Sequence, residues 1–167
     1  MKKIKIIIVT LIVAITVVSC GVYNFTGTGD LNAKTYQVNF FQNNAPIIEP
    51  GLDRDFTLAL QDLILNQTSL DLVRANGDLV YEGEIVEYRV SPMSATSNNT
   101  AAQNRLTIGV QVRFTHTNRP EDDFDQRFSF FFDYPASTQL INVQDAAYLE
   151  IFERITQDIF NASLAKW

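Results

Sequence analysis

From Leu106 to Thr115 the chain alternates, with Leu106, Ile108, Val110, Val112 and Phe114 on one side and Thr107, Gln111, Arg113 and Thr115 on the other. A period of two marks a strand with one buried and one wet face. Turn residues follow over 118–123, after which Phe124, Phe128, Phe130 and Phe132 recur on alternate positions of a returning strand. A hairpin centred near Pro120 sets Val112 against Phe128, Val110 against Phe130 and Ile108 against Phe132, so both apolar faces coincide. On the wet face the same register puts Arg113 opposite Arg127 and Phe131 opposite Gly109. Two facing guanidinium groups repel unless water or an anion intervenes.

Upstream, a first strand is predicted at about Thr35 to Gln42, then turns at Asn43, Asn44, Pro46 and Pro50-Gly51. Leu52, Phe56, Ala59, Leu60, Leu63 and Ile64 recur at helical spacing, and Asp53 and Asp55 suit the positive end of a helix running to about Gln67. Leu70 to Val73 reads as a short strand joined through an Asn76-Gly77 hairpin turn to a long strand, Leu79 to Ser91. The apolar face of that long strand switches from Leu79 and Tyr81 to Val86, Tyr88 and Val90, and Gly83 is a reasonable place for a bulge. Ser94 to Asn104 lacks apolar periodicity and reads as a loop. Between Asn142 and Lys166, the residues Tyr148, Ile151, Phe152, Ile155, Ile159 and Phe160 form the stripe of a second, longer helix. The simplest assembly is an α+β two-layer sandwich, with two helices packed on one face of a mainly antiparallel four- to five-stranded sheet.

The first twenty residues have a different pattern. Lys2, Lys3 and Lys5 precede an apolar run from Ile6 to Val18 that stops at Ser19-Cys20. This run is short for a membrane span, and with its basic flank and small residue before the break it reads as an export signal. Val17-Val18-Ser19-Cys20 also fits the lipobox of bacterial lipoproteins, in which the cysteine thiol is acylated and becomes the first mature residue. An ordinary secretory signal or an uncleaved anchor are the other readings. Cys20 is the single cysteine of the chain, so no internal disulfide competes for it. Several acyl chains on one residue hold a protein at a membrane, since each buried methylene contributes roughly 0.8 kcal/mol and one chain alone is marginal.

Three segments follow: a signal peptide at 1–19, a lipidated tether at 20–33 rich in glycine and polar residues, and one α+β domain at 34–167. Gly21 is not the aspartate that resembles an inner-membrane retention signal, which favours the outer membrane, and Val22 to Gly27 lack the acidic run that resembles a surface-export signal, which favours its periplasmic face. Loss of the three signal lysines takes the net charge from -6 to -9, which argues against a nucleic-acid partner.

No catalytic motif is legible. His116, the single histidine, lacks a nucleophile partner and metal-ligand spacing and reads as structural. Glu121, Asp122, Asp123 and Asp125 lack the alternating ligands and central glycine of a calcium loop and read as a solvated turn. Glu82 and Glu84 share a strand face without a nearby nucleophile, and an exposed strand edge explains them. Gly27 and Gly29 neither follow a strand nor open a helix, so no phosphate loop is implied. No cofactor and no metal is called for.

Several segments nonetheless carry a family likeness. Cys20 to Gly27, Phe40-Phe41-Gln42-Asn43-Asn44-Ala45-Pro46, Gly83-Glu84-Ile85, Ala101 to Ile108, Phe124 to Phe132 and Ala165-Lys166-Trp167 together resemble the Bacteroidetes branch of the lipopolysaccharide-assembly lipoproteins, the LptE family. The resemblance implies a non-enzymatic role. It would seat the domain in a large LptD-like outer-membrane β-barrel, hold it to the membrane through the lipid on Cys20, and help deliver lipopolysaccharide to the outer leaflet. It also implies contact with lipopolysaccharide itself, for which Arg105, Arg113 and Arg127 are candidates as planar donors to phosphate or carboxylate. Pairing of these arginines with residues such as Asp125 is the competing reading. A small-ligand-binding lipoprotein with a pocket lined by Phe128, Phe130 and Tyr148 is the alternative function.

Overall fold

The computed structural model describes residues 32–93 and 102–165. Its elements are β1 (Thr35–Val38), β2 (Gln42–Asn43), α1 (Leu52–Gln67), β3 (Asp71–Leu72), β4 (Leu79–Met93), β5 (Gln103–His116), β6 (Phe124–Pro135) and α2 (Gln144–Ser163). The six strands form one sheet in the order β3-β1-β4-β5-β6, with β2 continuing the β1 side of β4. Two strands are only two residues long, and β1, β2 and β3 make only parallel pairings, so the sheet is parallel on one side of β4 and antiparallel on the other. The two-layer α+β sandwich expected from the periodicities is the observed architecture.

Alternation on β5 decides which way the sheet faces. Leu106, Ile108, Val110, Val112 and Phe114 are fully buried on the inner face, where α2 lies over β5 and β6 while α1 lies over β1, β2 and β3. Phe56 of α1 meets Phe41 edge-on at 5.2 Å and Phe152 of α2 at 5.5 Å, so one aromatic chain joins the sheet to both helices. Leu52, Leu60 and Ile64 of α1 and Ile151, Ile155 and Ile159 of α2 complete the layer. Full burial of each such side chain stabilises the fold by roughly 1.5–3 kcal/mol. Gly51 starts α1 with φ +85°, a left-handed conformation that favours glycine, and Thr68 ends it by donating its N–H and its hydroxyl to the Ile64 carbonyl.

The β5–β6 register differs from the sequence expectation by two residues. Val110 pairs with Phe128, Ile108 with Phe130 and Leu106 with Phe132, and the innermost pair is Phe114 with Phe124. The short 3-10 turn Pro120–Asp122 lies within a loop that places the hairpin centre nearer Arg119 than Pro120. An even shift keeps every side chain on its expected face. It changes the partners: Arg113 faces Asp125 rather than Arg127, Gln111 faces Arg127, and Thr107 rather than Gly109 faces Phe131.

Three further expectations are corrected. Asn76 does adopt a left-handed turn conformation (φ 56°), but β3 and β4 do not form a hairpin, because β1 lies between them and pairs in parallel with both. The β4 bulge lies between Ile85 and Glu87, not at Gly83, and Val86 is the residue left over. The inner face accordingly passes from Leu79, Tyr81 and Ile85 to Tyr88. Gln103 and Asn104, assigned above to a loop, are paired residues of β5 opposite Met93 and Pro92.

Gly83 has a different reason to be glycine. A Cβ there would lie 2.0 Å from the Gln111 carbonyl oxygen and 2.8 Å from the Phe41 ring. Between β1 and β2 the chain takes four steps, Val38 to Gln42, while β4 takes three, Tyr81 to Glu84. That extra residue makes a bulge at the Phe40-Phe41 doublet, which breaks the expected single strand into β1 and β2. Phe41 turns inward over Gly83 and is fully buried, its N–H donating to Thr57 Oγ1 at 3.1 Å, whereas Phe40 turns outward.

Candidate functional site

The face of the sheet away from the helices has no second layer among the described residues, and its chemistry is that of paired charges. Arg113 donates through Nη1 to Glu82 Oε1 at 2.8 Å and lies 3.5 Å from Asp125 Oδ2 through Nε. Gln111 Nε2 donates to the other oxygen of Asp125 at 2.5 Å. Arg127 reaches from β6 across Gly109 of β5 to Glu87 of β4, which also accepts from Arg89 Nε at 2.8 Å. Arg105 makes a bidentate pair with Asp133 at 2.7 and 2.8 Å, and its guanidinium carbon lies 3.5 Å over the Phe131 ring.

All three arginines proposed to contact lipopolysaccharide therefore share one face, each already holding a carboxylate. The Arg105 guanidinium holds the Asp133 carboxyl below the usual carboxylate range, and the hydrogen bond to Asp133 in turn raises Arg105. Hydrogen bonds and charge from Glu82 and Asp125 raise Arg113. Surface pairs of this kind contribute little to stability, but they cancel the positive field an anionic ligand would need.

Glu82 and Glu84 are not on a strand edge: β4 lies between the β1/β2 side and β5. They line a cleft of about 330 Å³ that opens where the Phe40 bulge meets the sheet. Asn39 Nδ2 donates to Glu82 Oε2 at 3.3 Å, and Asn44 Nδ2 donates to Glu84. Sequence reading missed this cleft. Its one signal was the Phe40-Phe41 doublet, which a regular strand cannot bury on a single face.

His116 is buried at the end of the β5 apolar face, with Phe114 at 6.4 Å and its N–H donated to Asp123 Oδ1 at 2.7 Å. Asp122 belongs to the 3-10 turn and Asp125 to the ion-paired face, so the acidic residues of the turn point to different tasks. Among the described residues no group of three or more His, Cys, Asp or Glu side chains could hold a metal ion. Phe128 lies in the core, and the Tyr148 ring stacks on Phe152 at 5.6 Å while its hydroxyl meets that of Tyr88 at 3.0 Å. Burial raises both tyrosines above the ordinary phenol value, Tyr148 far more than Tyr88. Phe128, Phe130 and Tyr148 are thus packing residues of the helix–sheet layer. Cys20, Gly27 and Gly29 lie outside the described residues, as do the signal and most of the tether. No described helix is long and apolar enough to cross a membrane.

The family model for LptE, described as lipopolysaccharide-assembly, matches residues 33–163. The chain belongs to the LptE family. The match takes in every strand and both helices of the LptE-like domain, so membership rests on the whole sandwich rather than on one motif. Two solved structures share its fold. A hypothetical protein from Chlamydia trachomatis superposes with a TM-score of 0.55 at 9% identity, covering 80% of this chain and 99% of its own. Uncharacterized lipoprotein B from Nitrosomonas europaea superposes with a TM-score of 0.50 at 12% identity, covering 83% of this chain and 86% of its own. No curated protein sequence matches this chain at a significant level.

Proposed function

We propose that this chain is a lipid-anchored outer-membrane lipoprotein that partners an LptD-like β-barrel and helps place lipopolysaccharide in the outer leaflet, without catalysis of its own. Membership of a lipopolysaccharide-assembly family carries the reading. The lipobox at Cys20 supplies the anchor, and the domain begins thirteen residues later, so the tether keeps the sandwich close to the periplasmic leaflet. A protein partner also suits the surface. The hydrogen bond from Gln144 to Glu49 (2.9 Å) ties the loop carrying Ile47 and Ile48 to the segment carrying Ile141 and Leu149. Those four side chains are between 54% and 72% exposed, apolar surface that a protein partner would cover.

Direct lipopolysaccharide contact through Arg105, Arg113 and Arg127 is a separate part of the proposal. A phosphate there would have to displace or share the carboxylates of Asp133, Glu82, Asp125 and Glu87. The test of partnership is affinity purification of the tagged full-length protein in mild detergent. A stoichiometric β-barrel in the eluate supports it, and a lipoprotein that elutes alone refutes it. A small-ligand carrier, the alternative function, would instead elute as a monomer with its ligand.

A further inference from the structure

The bulge that seats Phe41 in the core leaves Phe40 on the opposite face, 55% exposed at the rim of the 330 Å³ cleft. This volume is within the range of small-ligand sites. Around the ring stand planar amides and carboxylates already held in place: Asn39 on Glu82, Asn44 on Glu84, and Arg113 on both Glu82 and Asp125. Side chains fixed before a ligand arrives lose less freedom on binding.

An aromatic face beside amides and carboxylates is complementary to a sugar ring. The C–H face of a pyranose packs on the aromatic ring, while its hydroxyls both donate to carboxylates and exchange hydrogen bonds with amides. Charge narrows the class. Glu82, Glu84 and Asp125 against Arg113 leave the lining with a net charge of -2, which repels phosphate or carboxylate substituents and tolerates neutral or ammonium ones.

We propose that this cleft binds an uncharged or amino-bearing pyranose residue, with Phe40 as the stacking platform and Asn39, Asn44, Glu82 and Glu84 as partners of its hydroxyl groups. The proposal stands apart from barrel partnership. Sugar binding is read on the isolated lipoprotein, so its failure leaves the co-purification result untouched, and the reverse.

The experiment is saturation-transfer NMR on the full-length lipoprotein in a zwitterionic detergent that carries no sugar headgroup. The probes are the methyl α-pyranosides of glucose, galactose and mannose, with glucosamine and glucose 6-phosphate. At least one of the first four receives saturation and glucose 6-phosphate does not. Phe40→Ala weakens that binding by roughly tenfold, the size of one aromatic contact. Asn44→Ala, just past β2 on the same stretch of chain, also weakens it, whereas Phe131→Ala, an exposed aromatic elsewhere on the same face, leaves it unchanged. Lack of transfer to all four sugars, equal transfer in Phe40→Ala, or glucose 6-phosphate binding as well as a glucoside would each overturn the proposal.

Discussion

Arg113 faces Asp125 across the β5–β6 ladder, and the two side chains approach to 3.5 Å while Glu82 holds the same guanidinium from β4 at 2.8 Å. One arginine thus bridges three strands, and the repulsion expected between Arg113 and Arg127 does not arise. Glu82 and Asp125 share the Arg113 cation, Glu87 takes Arg89 and Arg127, and Asp133 takes Arg105, which lets a domain of strongly negative charge keep several carboxylates on a single sheet face.

Arg113→Glu puts a third carboxylate beside Glu82 and Asp125. The melting temperature of the variant should fall at low ionic strength, and part of the loss should return at about 1 M salt, where the screening length is roughly 3 Å. Differential scanning calorimetry at two salt concentrations checks this, and a salt-independent melting temperature equal to wild type contradicts it.

Gly83→Ala tests why β1 and β2 are separate strands. The added methyl has no room beside the Gln111 carbonyl oxygen or the Phe41 ring, so backbone must move. The expected cost is about 3 kcal/mol, at the upper end for overpacking, read as a shift in the denaturant midpoint. A change below about 0.5 kcal/mol, the level of an ordinary surface substitution, would contradict it.

Tyr81 is wholly buried, and its hydroxyl meets Ser163 Oγ at 2.9 Å, joining β4 to the last turn of α2. Burial keeps this phenol protonated far above its ordinary titration range, the Ser163 hydrogen bond offsetting only part of the shift. Tyr81→Phe keeps the ring and removes the hydroxyl, and Ser163 still donates to the Ile159 carbonyl. A loss of about 1 kcal/mol follows for one net hydrogen bond. Tyr81→Ala, which also empties the space, should cost about 3–5 kcal/mol by analogy with other aromatic truncations.

How much of this was legible in the sequence depends on the range of the forces involved. The period-two run on β5 and the stripes on α1 and α2 identified the layers, because burial of Ile108 or Phe152 is imposed by local spacing alone. The face of each β6 residue was also correct, since a two-residue register error preserves parity. The partners were not legible. Arg127 pairs with Glu87 forty positions away, over a glycine on an intervening strand, and nothing local encodes that reach. Gly83 reads as a bulge in sequence, and only the Gln111 carbonyl and the Phe41 ring packed against it in the fold show a close approach instead. The parallel placement of β1 between β3 and β4 was hidden for the same reason, because Asn76-Gly77 makes a turn whether or not its flanking strands touch.

Acid should weaken the domain in a defined direction. Arg105 depresses Asp133, while the N–H groups of Lys34 and Thr35 and the Thr35 hydroxyl depress Asp78. A carboxyl whose folded value lies below its unfolded value contributes stability above the unfolded value, about 3.9, and that contribution is lost as pH falls through the folded value. Denaturant midpoints should therefore be flat from pH 7 to 5 on account of these two groups and decline below about pH 4. Arg105→Gln should make the decline shallower. A midpoint that rises on acidification would contradict the assignment.

Cys20→Ala removes the thiol on which the anchor reading depends. Metabolic labelling with a radioactive fatty acid should mark the wild-type protein and leave the variant unlabelled, with the variant accumulating as a longer precursor. Label retained in Cys20→Ala would place the lipid elsewhere.

Partnership with a β-barrel is tested most directly by native mass spectrometry of the tagged full-length protein isolated in mild detergent. The predicted result is a complex holding one copy of this chain and one copy of a much larger outer-membrane β-barrel, dissociating into those two masses on activation. A spectrum containing this chain alone, or with only a small ligand, would contradict it.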